Sequence, residues 1–182
     1  MNREEAAKIL VRGGIAVMPT DTLLGIVGSA LRPKTVERIY RVRCRDQRKP
    51  LIVLIASQRE LKRFGIVMTP RLAAFLRNVW LVRQVHGRPV PVSVVLPCPH
   101  SRFRYLHRGT ETIAFRVPAS APLRSLLRAT GPLVAPSANR AGEPSCRTIA
   151  EARRAFGDAV DAYLPGRSGS ATPSLVIKVL RH

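Results

Sequence analysis

Residues 15–25 read IAVMPTDTLLG, and the reading of the whole chain hangs on this stretch. Residues 15–18 form a short apolar run after Gly13 and Gly14, without helical period, which predicts a buried strand. The polar cluster Pro19-Thr20-Asp21-Thr22 then falls just past the strand end, the usual place for ligands in open α/β sheets. Two hydroxyls and one carboxylate around a turn suit a small polar substrate. The same residues would equally serve as a helix N-cap or an Asx turn.

Upstream, Ala6, Ile9 and Leu10 share one face of a helix predicted over 3–12. Downstream, a helix from near Pro33 turns Val36, Ile39 and Tyr40 inward, and residues 51–55 read as a buried strand. Pro70 and Pro122 open amphipathic helices over 71–79 and 123–129, in the first turn where a missing N–H costs nothing. Residues 92–96, 112–117, 133–135 and 175–180 are β-branched and aliphatic, so they predict strands. A last helix runs over 148–156, with Thr148 as N-cap and Glu151 at the capping-box position. Between Trp80 and Pro91 the sequence carries no readable pattern. Without repeats or linkers, the sum is a single mixed α/β domain over residues 1–182.

With 46% hydrophobic and 23% charged residues, the 182-residue chain has the means to bury a core and is not disordered. No apolar run approaches the ~20 residues that cross a bilayer. The N-terminus, MNREEAAK, carries two acids where a signal peptide wants a basic start, so a soluble, cytoplasmic protein with no membrane partner is expected. Cys44, Cys98 and Cys146 lack CxxC spacing, and His86, His100, His107 and His182 form no HExxH pair, so no protein metal site is expected. A net charge of +20 implies either a field that gathers the phosphates of nucleotides or RNA, or merely a basic composition.

Three further stretches hold groups that carry chemistry. In Arg41-Val42-Arg43-Cys44-Arg45, an extended backbone would project Arg43 and Arg45 side by side as a fork for phosphate oxygens. Alternatively, these residues decorate a helix C-terminus, where the macrodipole favours cations. In residues 135–145, Ser137 and Asn139 repeat the i, i+2 spacing, Gly142 permits close backbone approach, and Ser145 follows. Arg116, before Val117 and Pro118 at the end of a predicted strand, can pair a carboxylate. P-loop, GxGxxG and GxSxG patterns are all absent, so the inventory suits positioning and charge stabilisation on a phosphoryl group without a protein nucleophile.

In this order, the stretches resemble the YrdC-like family, the threonylcarbamoyl-AMP synthases of the short TsaC type. The likeness runs from near residue 15 to about residue 178. The family's Pro-Thr-Asp/Glu-Thr opening is similar to residues 19–22, its Lys-x-Arg to Arg43 and Arg45, and its Ser-x-Asn to Ser137 and Asn139. Arg116 with Pro118, and Pro173-Ser174-Leu175-Val176, match two more elements. The resemblance implies a twisted mixed β-sheet with flanking helices. It also implies synthesis of threonylcarbamoyl-AMP and pyrophosphate from L-threonine, bicarbonate and ATP, with Mg2+ carried on ATP, for tRNA threonylcarbamoyladenosine.

By the same resemblance, Thr20, Thr22, Arg116 and Ser174 hold threonine. Arg43, Arg45, Ser93, Ser137, Asn139 and Ser145 meet the nucleotide, with Arg43 and Arg45 as the catalytic cations. Partner proteins would be the machinery that transfers threonylcarbamoyl to tRNA. Arg43 stands for the family's Lys, Val90 for a Gly and Leu175 for a Thr. These departures leave a second reading open, a YciO-like protein of the same fold that binds RNA or the ribosome. On that reading tRNA or double-stranded RNA would be met through phosphates, because Phe 5, Tyr 3 and Trp 1 supply few stacking platforms. Arg48, Lys49, Arg102, Arg104 and Arg108 would then lie outside the pocket.

Overall fold

The computed structural model describes residues 2–81, 91–166, 168 and 173–179. Val90 and the far end of the strand predicted to residue 180 lie outside the described residues. In chain order the elements are α1 (Arg3–Val11), β1 (Ile15–Pro19), β2 (Leu24–Ser29), α2 (Pro33–Val42), β3 (Ile52–Leu54), a 3-10 segment (Gln58–Phe64) and α3 (Pro70–Leu81). They continue with β4 (Val92–Pro97), α4 (Arg104–His107), β5 (Thr112–Arg116), α5 (Ala121–Thr130), β6 (Leu133–Val134), α6 (Ile149–Phe156), β7 (Ala162–Tyr163) and β8 (Leu175–Lys178). The strands form one eight-stranded sheet in the order β7-β1-β2-β6-β3-β5-β4-β8. β7 with β1, β3 with β5 and β4 with β8 are parallel, and the other neighbours are antiparallel.

Because side chains alternate along a strand, β1 feeds both faces of the sheet. Ile15 and Val17 join one apolar layer with Val36, Ile39 and Tyr40 of α2, Leu76 of α3 and Phe156 of α6. Ala16 and Met18 join the other with Leu10 of α1 and Leu123, Leu126 and Leu127 of α5. The strand thus reads as an unbroken apolar run because both of its faces are covered.

The expected helices and strands appear, with ends shifted by a few residues. β2 is the element the sequence hid, since Gly25 and Gly28 weaken any strand signal. Gly28 is there for packing: a Cβ would lie 2.6 Å from Thr35 Cγ2 and 3.0 Å from Ile39 Cδ1, so its absence lets α2 settle on the sheet. Thr148 caps α6 as expected, accepting from Glu151 N at 3.1 Å. The returning Glu151 carboxylate accepts from Arg147 N instead of from the cap residue's own N–H. β8 is an exposed edge strand, with Leu175 57% and Val176 55% accessible, rather than a core strand. No helix among the described residues is long and apolar enough to cross a membrane.

The start of β1 is fixed from a distance. Asp161 accepts from Ile15 N at 2.7 Å and from both Arg38 Nη atoms at 2.6 and 2.9 Å. Burial works against the Asp161 carboxylate, but the Arg38 and Ile15 hydrogen bonds outweigh it and lower its pKa. A lowered folded-state pKa adds stability above the unfolded carboxylate's pKa, and that stability is lost as pH falls through the folded value. Asp161→Asn should therefore cost about 1–2 kcal/mol at neutral pH, the pair being partly screened by solvent. Urea unfolding at pH 7 and at pH 3 checks this: the gap between wild type and variant should narrow in acid, and an equal gap would refute it.

Candidate active site

A cleft of about 380 Å³ opens where β1 and β5 end and β3 begins. Its polar lining is Thr20, Thr22, Arg45, Arg116, Ser137, Ser145 and Ser174, and Leu23, Pro50, Leu51, Ile52, Pro136 and Val176 supply apolar wall. A second cavity of about 480 Å³ shares Leu23, Leu24, Ser145 and Pro173 with it and adds Cys146 and Arg147.

At one end of the cleft the β1–β2 turn folds on itself. Thr20 Oγ1 donates to Leu23 O at 2.7 Å and accepts from Thr22 N at 3.2 Å. Its only proton is spent there, so in the 3.0 Å contact between the two hydroxyls Thr22 is the donor. Arg116, at the end of β5, donates Nη2 to Asp21 Oδ1 at 3.0 Å and to Thr22 Oγ1 at 3.4 Å. The Arg116 and Asp21 side chains are only 4% and 6% exposed. Burial pushes the Arg116 pKa down, with Asp21 acting against that shift. Arg116 Nε and Asp21 Oδ2 are buried without a partner among the described residues, so the pair keeps one unused donor and one unused acceptor. The pairing of Asp21 with Arg116 was invisible in sequence, although the carboxylate between two threonines was its one local sign.

The loop after β6 forms the opposite wall. Ile26 N donates to Pro136 O at 2.9 Å and Ala138 N to Leu24 O at 2.8 Å, which ties residues 136–138 alongside β2. Gly25 makes that approach possible, since a Cβ there would stand 3.0 Å from Thr20 Cγ2 and 3.3 Å from Pro136 O. Ser137 Oγ donates to Asn139 Oδ1 at 2.6 Å, and Asn139 Nδ2 donates to the carbonyls of Arg140 and Glu143.

Arg43 and Arg45 do not project side by side from an extended segment. α2 runs to Val42, Arg43 is its C-cap, and Cys44 takes the left-handed conformation at φ 50°. Cys44 N donates to Arg41 O and Arg45 N to Tyr40 O, the pattern of a Schellman cap that turns the chain back. The two guanidiniums consequently diverge. Arg43, 3% exposed, donates to Asn139 O at 3.0 Å, Ser137 Oγ at 3.3 Å and Asn139 Oδ1 at 2.8 Å. It stands behind the cleft wall, and only Arg45 of the two lines the cleft. Burial, helped by the charge of Arg45, pulls the Arg43 pKa down to about 10, so it stays cationic at neutral pH.

Of the other expected residues, Ser93 is fully buried on β4 and shares a 2.9 Å hydrogen bond with Ser174 Oγ, supporting the lining hydroxyl from behind. Asn139 likewise braces the 137–143 loop instead of lining the cleft. Ser145 sits where the two cavities meet.

The Sua5/YciO/YrdC family model, described as telomere recombination, matches residues 8–182. The chain belongs to this family. Relatives named threonylcarbamoyl-AMP synthase include one from Halorhodospira halophila, 32% identical over 90% of this chain and 82% of its own length. Another, from Nitrosococcus oceani, is 33% identical over 93% of this chain and 88% of its own. Among solved structures, P. abyssi Sua5 complexed with L-threonine superposes with a TM-score of 0.83 at 27% identity, covering 97% of this chain. This chain spans about half of that one, 50% of its length. YciO from E. coli, at 21% identity and TM-score 0.75, shares the fold, over 98% of this chain and 84% of its own. The mixed sheet expected of a YrdC-like fold is therefore what the family member has.

Removing Arg43 strips three hydrogen bonds from the loop that carries Ser137. Arg43→Ala should cost about 2–4 kcal/mol of stability, because half-buried acceptors lose a buried, charged donor. Arg43→Lys keeps the charge and one bond, and should cost less than half as much. Urea midpoints compare the two variants with wild type, and an unshifted midpoint for Arg43→Ala would remove the latch.

Proposed function

We propose that this chain condenses L-threonine, bicarbonate and ATP into threonylcarbamoyl-AMP and pyrophosphate. One observation carries the reading: a single cleft of about 380 Å³ is lined by Arg116, Thr20, Thr22 and Ser174 and also by Arg45, Ser137 and Ser145. The relatives named threonylcarbamoyl-AMP synthase and the threonine complex of P. abyssi Sua5 support it.

Threonine binds by its carboxylate at the Arg116 end of the cleft, beside the hydroxyls of Thr20, Thr22 and Ser174. Its amine attacks the bicarbonate carbon, and water leaves as the carbamate forms. A carbamate oxygen then attacks the α-phosphate of ATP, and the bond to the bridging oxygen of the β-phosphate breaks. Pyrophosphate departs carrying negative charge, which Arg45 and the hydroxyl of Ser145 disperse, while Ser137, its proton given to Asn139 Oδ1, shapes the wall beside them; preorganised donors of this kind act without reorganising at the moment of reaction. Arg43 and Asn139 contribute by holding Ser137.

The reaction needs no protein nucleophile. Cys44 is exposed and outside the cleft lining, and burial pushes the Cys146 thiol up, away from thiolate. No carboxylate lines the cleft among the described residues, so magnesium arrives as part of the MgATP substrate, ligated by phosphate oxygens and water. The product, a reactive mixed anhydride, is consumed by the machinery that acylates tRNA.

Pyrophosphate release should require threonine and bicarbonate together, with less than a few per cent of the rate when either is omitted. A coupled pyrophosphatase assay measures it. ATP that binds without threonine-dependent pyrophosphate release would overturn the synthase and favour the YciO-like reading.

The net charge of +20 favours a polyanion at the surface as well. Arg48, Arg102 and Arg104 are exposed, whereas Arg108, only 11% accessible, is spent on an ion pair with the half-exposed Glu37. tRNA should bind at low salt with a log–log slope of about −0.7 to −0.9 per neutralised phosphate. Fluorescence anisotropy across a salt series tests this, and no binding near ~50 mM salt assigns the charge to composition alone.

A further inference from the structure

Of Arg43 and Arg45, the latter is the cation that lines the cleft, yet its own anchors are weak. Nε reaches Lys49 O at 3.4 Å and Nη2 reaches Pro50 O at 3.3 Å, both beyond the usual range for N–H···O bonds. Neither contact fixes the guanidinium unless the two carbonyls are themselves held. One of them is: Tyr40 Oη donates to Lys49 O at 2.9 Å. The same carbonyl therefore serves the phenol and Arg45 together.

Tyr40 is well placed to be a fixed point. Its ring is 1% exposed in the core under α2, and its backbone carbonyl accepts from Arg45 N at 3.0 Å, so it touches both ends of the 45–49 turn. The Arg108 guanidinium lies over the ring, 4.0 Å from its centroid, and ion-pairs with Glu37 one turn earlier on α2 at 2.7 Å. Arg108 adopts a left-handed backbone at φ 52°, a conformation that disfavours non-glycine residues and that this stacked, ion-paired side chain offsets. Burial also pushes the Tyr40 pKa up, so the phenol remains a donor through the neutral range.

We infer that Tyr40, backed by Arg108, is a positioning residue that holds the Lys49 carbonyl and thereby presents Arg45 and the adjoining Pro50–Ile52 wall to a bound nucleotide phosphate. The inference rests on the reading of the cleft as a nucleotide site. It assigns to a buried phenol, remote in sequence from every cleft hydroxyl, control over one substrate and not the other. Threonine is held at the Arg116 end, which shares no hydrogen bond with the 45–50 turn among the described residues.

Tyr40→Phe removes the hydroxyl and keeps the ring. A neutral hydrogen bond of this kind corresponds to about a three- to tenfold change in an equilibrium constant, so the ATP Kd by titration calorimetry, and the ATP KM in the pyrophosphate assay, should rise by about that factor. The threonine KM should stay within about twofold. Arg45→Ala sets the ceiling, with a loss of about ten- to a hundredfold, as expected for a charge-assisted contact. Arg108→Gly, which relieves the positive φ while removing the cation from the ring, should weaken ATP by about two- to threefold. In 15N spectra, the Arg45 Nε–H signal, assigned by its loss in Arg45→Ala, should exchange faster with water in Tyr40→Phe.

Unchanged ATP affinity together with an unchanged Arg45 signal would overturn the inference. Equal weakening of ATP and threonine would overturn it as well, since that pattern means general loosening. Binding and the Arg45 signal do not depend on turnover. A wild type that binds ATP but releases no pyrophosphate would sink the synthase reading and still leave the Tyr40 comparison decisive.

Discussion

A guanidinium removed from water must find acceptors, because an unpaired buried charge costs several kcal/mol. Arg43 finds three on the 137–139 loop, and that requirement ties the C-terminus of α2 to the segment that follows β6. Ala141 N returns a hydrogen bond to Arg43 O at 2.8 Å, so the two segments are joined through backbone as well as side chain. The opposite edge of the same loop is laid against β2 through Pro136 O and Ala138 N. Ser137 is thus held from both sides. If the latch were absent, the loop would have only its β2 contacts and its own turn hydrogen bonds to set where that hydroxyl points.

Basic residues near the cleft separate into kinds by what burial does to them. Arg43 and Arg116 are almost fully enclosed, and burial lowers the pKa of each, so both depend on protein acceptors. Arg45 is half-buried with long contacts, which leaves its guanidinium free to turn toward a ligand. Arg48 is 90% exposed and contacts Asp46, a pairing that solvent and salt will weaken. The large formal charge is therefore not one uniform field. Part of it is structural, part is available within the cleft, and part faces water.

The family resemblance and the geometry agree in bringing Thr20, Thr22, Arg45, Arg116, Ser137 and Ser174 to one cleft. They differ over one residue. The Lys-x-Arg likeness makes Arg43 and Arg45 equal partners on phosphate, but in this chain the helix cap splits them, and Arg43 braces the loop on which Ser137 stands. A flat, multi-donor guanidinium fits that bracing role, since it can reach a carbonyl, an amide oxygen and a hydroxyl at once, whereas a lysine ammonium presents a compact point charge.

The sequence by itself determined the α/β class, most helices and strands, and the set of residues that cluster at strand ends. Those features are local: apolar period, Pro at helix starts, capping residues and turn chemistry are all written within a few positions of one another. It also made the family recognisable, because five short motifs in register survive even where each is weak alone. What only the tertiary structure decided was long-range or depended on backbone conformation. β2 was hidden by glycines whose purpose, making room for α2 and for Pro136, appears only once those partners are packed. The divergence of Arg43 from Arg45 turns on the left-handed Cys44, a conformation that a non-glycine residue does not advertise. The pairing of Asp21 with Arg116, and of Tyr40 with the carbonyl beneath Arg45, joins residues whose contact is set by strand order and by the helix cap, and neither of those is encoded at the residues themselves.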